Sequence, residues 1–194
     1  MYRLQQAFSI ITFTHRGLGQ LGTYDLVVGG VQARLMKLRA VFGTRPNTNE
    51  ITENVWVGGF NSPELVVSQN FDVVLDLREI EDLKYQNFLM NHGLEYVNVK
   101  IPDRYGASPE VLSKIVALID AKVRKGRKVL VHCNLGRGRS ALVVAAYLVS
   151  HGLSPEEAIK KIKEKRNVTY LNERQRQALS DFADTLSSSF KRNS

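Results

Sequence analysis

The sequence predicts an α/β fold: a mainly parallel central sheet of about four or five strands, flanked by helices. Two observations lead there. From Ile51 onward, short apolar runs alternate with longer stretches of helical periodicity, as in strands joined through crossover helices. In addition, the apolar run Lys128–His132 passes through a glycine-containing loop into a second apolar run, Ala141–Leu148. That is the pattern of a buried strand feeding a buried helix.

The elements follow in order. Asn54–Phe60 reads as an edge strand and turn, and Phe71–Leu77 as a buried strand. Glu79–His92 is an amphipathic helix stopped by Gly93, and Glu95–Ile101 is a strand. Ser108, followed by Pro109 and Glu110, suits a helix N-cap. The helix it opens, Pro109–Lys125, places Val111, Leu112, Ile115, Leu118 and Ile119 at apolar positions. Three more helices are expected from near Gly138, Pro155 and Asn172, the second opened by a capping box of Ser154 and Glu157.

These elements define a folded domain over residues 51–187. The polar residues 188–194 are expected to fray. Residues 1–50 read as an N-terminal helical extension, with Thr44–Asn49 as the boundary. Its apolar stretch Phe8–Phe13 is far shorter than the ~20 residues of a membrane span, and it lacks a convincing signal-peptide pattern. Between Tyr24 and Phe42, Leu26, Val27, Val31, Leu35, Leu38 and Val41 form one face, with Arg34, Lys37 and Arg39 beside it. Such a helix packs on the domain, pairs two protomers, or lies on an anionic membrane.

Composition narrows the chemistry. The chain has 194 residues, 43% of them hydrophobic, enough for a full core without covalent staples. Its net charge of +8 suits anionic partners. There is no aromatic-interleaved basic pattern, so nucleic-acid binding is not expected. The single cysteine, Cys133, excludes an internal disulfide and points to a reducing, cytoplasmic setting. His15, His92 and His151 are scattered and share no metal-ligand spacing with Cys133, so neither metal nor other cofactor is expected.

Cys133 stands in the run Val129-Leu130-Val131-His132-Cys133-Asn134-Leu135-Gly136-Arg137-Gly138-Arg139-Ser140. This order suits attack of a thiolate on a phosphate monoester. A helix N-terminus and nearby cations lower a thiol pKa from about 8.5 to roughly 3.5–7.5. The loop Asn134, Leu135, Gly136, Arg137, Gly138 can turn its N–H groups on one spot, favouring first the thiolate and then phosphoryl oxygens. The glycines let the main chain approach the ligand. Arg139 offers a planar fork for two phosphoryl oxygens. Ser140 is placed to donate to the sulfur and help it leave in a second step. The alternative for Cys133 is an inert buried thiol, which leaves the glycines and Arg139 unexplained.

This His-Cys, five residues, then Arg-Ser arrangement resembles the signature loop of the cysteine-dependent protein tyrosine phosphatase superfamily, and is most similar to its small dual-specificity branch. The order and lengths of elements over residues 51–187 resemble that branch too. The resemblance implies a cysteinyl-phosphate intermediate and a general acid upstream. Asp103, 30 residues before Cys133 in the loop Pro102–Pro109, is the candidate, acting as acid first and then as base toward water. Its bland alternative is a turn or cap residue. The family also carries a glutamine nine residues after an arginine, where it orients the hydrolytic water. Gln175 after Arg166 fits, with Asn172 and Gln177 as rivals and a solvated helix face as the alternative. By the same resemblance His132 supports the loop and does not act as a base.

The implied substrate is phosphotyrosine in proteins, together with phosphoserine and phosphothreonine. The chain lacks the Lys-Asn-Arg-Tyr run with which tyrosine-only domains grip their substrate. The alternative is an inositol phosphate or phospholipid. Lipid phosphatases of the superfamily often have basic residues at the first and fourth positions after the cysteine. Here those are Asn134 and Arg137, half a match. Arg137 otherwise serves as a solvent-facing residue that raises the local potential. Arg104, beside the candidate acid, could add charge at the pocket mouth. A non-catalytic phosphate reader is disfavoured, because such proteins typically lose the cysteine or the arginine. The sequence does not specify the oligomeric state.

Overall fold

Strand β5 (Val129–His132) lies at the centre of the sheet, where its apolar sequence belongs. The computed structural model describes residues 45–193. The patterns read at Phe8–Phe13 and Tyr24–Phe42 lie outside the described residues. The other strands are β1 (Thr48–Thr52), β2 (Val55–Gly58), β3 (Val73–Asp76) and β4 (Glu95–Asn98), in the order β1-β2-β5-β3-β4. All neighbours are parallel except β1 and β2, which form an antiparallel hairpin. Asn54 makes the hairpin turn in the left-handed region, φ 64°, a conformation asparagine tolerates.

Three readings need correction here. β2 is internal, not an edge: β1 covers it, and β1 begins at Thr48, before the expected domain start at 51. The five residues Thr-Asn-Glu-Ile-Thr, polar except for Ile51, carry little strand signal of their own; pairing with β2 makes them a strand. Likewise the last helix continues past residue 187.

The helices are α1 (Pro63–Val67), α2 (Leu83–Asn91), α3 (Pro109–Val123), α4 (Arg139–Ser150), α5 (Pro155–Lys165) and α6 (Glu173–Asn193). Side-chain alternation along the strands divides the core. Val55, Val57, Val73, Leu75, Val129 and Val131 face one cluster with α3, α4, α5 and α6. Trp56, Val74 and Leu130 face the other, with Val66 of α1 and Tyr85 and Leu89 of α2. A sheet covered on both faces explains the continuous apolar runs. α4 is buried from Arg139 to Val149.

Caps set the helix limits. Ser108 Oγ accepts from Val111 N at 3.4 Å, and Ser154 and Glu157 form the expected capping box. α2 starts later than the sequence reading at Glu79 because Asp82 takes the N-cap, accepting from Tyr85 N at 3.1 Å. β4 ends at Asn98, earlier than expected, and residues 99–108 become a loop across the strands' carboxyl ends. α6 runs to Asn193 because its apolar face, with Ala178, Leu179 and Phe182 buried, nucleates a helix that polar residues can extend.

Candidate active site

The site sits where parallel α/β sheets usually bind ligands, beyond the carboxyl ends of the strands. β5 delivers Cys133, the loop 134–138 turns, and α4 begins at Arg139. Cys133 is 3% exposed. Gly136 N–H donates to its Sγ at 3.3 Å, and Ser140 Oγ lies 3.5 Å from the sulfur. The Ser140 hydroxyl also reaches Gly58 O at 3.2 Å, so its single proton has two acceptors to choose between. Gly138, the N-cap of α4, supplies no capping side chain. The first-turn N–H groups of α4 are therefore left for an anion.

Gly136 is required twice over. Its φ is +67°, and a Cβ there would run into Gly59 N and the guanidinium of Arg166. Arg166 is the principal site residue that sequence reading missed. It is buried, and no carboxylate among the described residues pairs with it. It donates instead to four oxygens: Gly136 O at 2.6 Å, Leu135 O at 3.2 Å, Asn47 Oδ1 at 2.6 Å and Asn49 Oδ1 at 2.7 Å. Burial pulls its pKa down to about 10, partly offset by the Cys133 thiolate charge. In a trans peptide the carbonyl and the following N–H point opposite ways. Drawing the Leu135 carbonyl toward Arg166 therefore aims Gly136 N–H at the sulfur.

Arg139 is buried and joins three loops. Nη1 donates to Leu77 O at 3.3 Å and Ile101 O at 3.0 Å, and Nη2 meets Asp103 Oδ1 at 3.0 Å. Asp103 is thus brought to the site, with its side chain 67% exposed. Its backbone N–H donates to Glu79 Oε2 at 3.1 Å. The next residue, Arg104, is left-handed at φ 63°, and its carbonyl accepts from Asn172 Nδ2 at 2.9 Å. Gln175 is buried against Gly138, and its Nε2 reaches Tyr105 O at 3.4 Å. Asn172 and Gln175 also cap each other's backbone at the start of α6. Of the rivals, Asn172 therefore shares the site with Gln175, while Gln177 pairs with Asp181 on the helix surface.

Around the loop's rim, Asn134 is exposed and Leu135 half-buried. Arg137 is half-buried and sends Nε to Val168 O at 3.2 Å, while its own carbonyl accepts from Tyr170 N at 3.0 Å. Behind the cysteine, His132 is fully buried, with Nδ1 3.4 Å from Cys133 O and Nε2 3.7 Å from Asp76 Oδ2. Burial lowers the His132 pKa, although Asp76 opposes this, so the ring is neutral near pH 7. Burial would raise the Asp76 carboxyl, but the facing His132 ring and the Arg78 guanidinium with its hydrogen bonds outweigh it, and the pKa is lowered. Arg78 grips Asp76 through Nε at 2.9 and 3.0 Å and Nη2 at 2.7 Å, and stacks over Phe60 at 4.4 Å. The run Asp76-Leu77-Arg78 was legible as a strand end; nothing in it announced this buried pair.

A buried thiol under an inward N–H, a buried guanidinium and an exposed carboxylate converge as phosphate-monoester chemistry requires. Residues 56–185 match the family model for the dual specificity phosphatase catalytic domain, and the chain belongs to that family. With its relatives it is a phosphatase of the protein-tyrosine/dual-specificity class. It is 45% identical over 128 residues to the human phosphatidylglycerophosphatase and protein-tyrosine phosphatase 1, covering 61% of this chain and 62% of that one. It is 37% identical over 79 residues to dual specificity protein phosphatase 1 of Arabidopsis thaliana, covering 40% of each. The chain thus spans less than two thirds of either relative. Among solved structures, Tk-PTP in its active form superposes with a TM-score of 0.66 at 30% identity, covering 72% of this chain and 97% of that one. PTPMT1 in complex with PI(5)P gives 0.65 at 25% identity, covering 74% and 98%.

Proposed function

We propose that the site hydrolyses phosphotyrosine, and with it phosphoserine and phosphothreonine, in proteins through a phosphorylated Cys133. The observation that carries this is the convergence of Cys133 Sγ, Gly136 N–H, Arg139 and Asp103. The Cys133 thiolate attacks phosphorus. The S–P bond forms as the ester P–O bond breaks, and Asp103 gives its proton to the leaving oxygen. Arg139 and the loop amides from Asn134 to Gly138 hold the equatorial oxygens. Water then attacks the cysteinyl phosphate, losing its proton to Asp103. The S–P bond breaks, inorganic phosphate leaves, and the Ser140 hydroxyl donates to the departing thiolate. Gln175, against Gly138, is placed to orient that water. His132 and Arg166 hold the loop from behind. The resting Asp103–Arg139 contact implies that the substrate's phosphate takes over the guanidinium and frees the carboxyl for the leaving oxygen. A thiolate enzyme with one cysteine suits a reducing compartment, and a cytoplasmic location fits it.

A second reading has its own support: the human relative's name and the PI(5)P complex of PTPMT1 favour a phospholipid or inositol phosphate monoester. Against it, Arg137 spends Nε on Val168 O. The test is kcat/KM on a phosphotyrosine peptide, a phosphothreonine peptide and a soluble phosphoinositide, with Cys133→Ser as control. The expected order puts the phosphotyrosine peptide first, with no turnover by the serine variant. A phosphoinositide preference would move the assignment to the lipid reading, and turnover by Cys133→Ser would overturn both.

A further inference from the structure

Glu79 has no part in the chemistry above, yet it touches the acid. It follows β3, 24 residues from Asp103 in sequence, and its Oε2 accepts the Asp103 backbone N–H at 3.1 Å. The same loop makes a second contact with the acid loop, an ion pair between Glu81 and Lys100 at 2.5 Å. On the far side, Asn172 holds the Arg104 carbonyl and Gln175 reaches the Tyr105 carbonyl. Between these anchors lies Arg104, whose left-handed backbone persists only when its surroundings hold it.

We propose that Glu79 is a positioning residue for the general acid. This rests on the reading of Asp103 given above. Glu79 binds the backbone of Asp103 and leaves the side chain untouched. The loop thus stays in register with the phosphate site while the carboxyl exchanges Arg139 for the leaving oxygen. An anchor on the carboxylate itself would block that exchange. Glu79 also fixes the residue on the N-terminal side of the strained position, which Asn172 fixes from the C-terminal side.

The experiment is a series of aryl phosphates with leaving groups from 4-nitrophenol to phenol. Good leaving groups depart without a proton; poor ones need it. Wild type and the variants Glu79→Ala, Glu79→Gln and Asp103→Asn are compared by kcat/KM, which reports the step in which the ester bond breaks. Glu79→Ala is expected to lose about tenfold on phenyl phosphate, the scale of one positioning hydrogen bond, and little on 4-nitrophenyl phosphate. Glu79→Gln keeps an acceptor for the Asp103 N–H and is expected to restore the wild-type dependence. Activity on 4-nitrophenyl phosphate reports that each variant is folded. An equal loss on every ester, or no restoration by glutamine, overturns the role of Glu79 alone. No leaving-group dependence in Asp103→Asn removes the acid assignment, and the inference about Glu79 goes with it.

Discussion

Arg166 carries a buried charge that no carboxylate among the described residues pairs with, an arrangement proteins usually avoid. Four oxygen acceptors offset the lost water, two from loop carbonyls and two from the asparagines at 47 and 49. The guanidinium thereby acts as a template for the loop's shape. Lysine cannot replace it, because three donors on a flexible stem do not match four acceptors arranged around a planar fork. Arg166→Lys should fold, yet lower kcat/KM on aryl phosphates by about a hundredfold, as misplacement of a phosphate cradle by an ångström does. Wild-type kinetics in that variant would mean that Gly136 and its neighbours hold the loop unaided.

Helix ends do two kinds of work in this molecule. At α5 the capping box is structural: Ser154 N–H donates to Glu157 Oε2 at 2.9 Å and Ser154 Oγ accepts from Glu157 N at 3.3 Å. Ser154→Ala should cost about 1 kcal/mol, read as a Tm lower by about 2–4 °C, with kcat on 4-nitrophenyl phosphate unchanged. At α6 the cap is also part of the site. Asn172 and Gln175 satisfy each other's backbone and, with their remaining donors, reach the acid loop. The start of α6 therefore couples the loop that bears Asp103 to the loop that bears Cys133. α4 is the third case: its Gly138 cap leaves the helix N-terminus to the ligand.

The molecule as a whole keeps a charged and polar group, His132, Asp76 and Arg78, buried on the sheet's second face, with the half-buried Tyr96 hydroxyl donating to Asp76. This has a signed consequence for stability. The His132 pKa is lowered in the fold by burial, so the unfolded chain binds its proton more readily. The corresponding stability is complete above the free histidine value of about 6.5 and declines as pH falls toward the folded value. Asp76, also lowered, adds a further decline below about pH 3.9. Tm should therefore fall as pH goes from about 7 to about 5, and His132→Asn should flatten that slope. An equally steep slope in the variant would assign the acid sensitivity elsewhere.

Much of this protein was written in local sequence. The alternation of apolar runs specified an α/β fold, because a strand buried on both faces must be apolar throughout. The spacing from His132 to Ser140 marked a candidate thiolate-phosphate loop, because that chemistry needs its groups within one turn of chain. Serine–proline starts marked α3 and α5. Tertiary structure decided the remainder. β1 became a strand only by pairing with β2, and Arg166, Asp76 and Glu79 acquired their places from partners 20 to 119 residues away, Asp76 also from its buried pair with Arg78. Arginines and carboxylates look alike on a surface and at a site, since their roles depend on which oxygen or N–H the fold sets within 3 Å. Local patterns record what a segment must bury; only the packed chain determines what its polar groups meet.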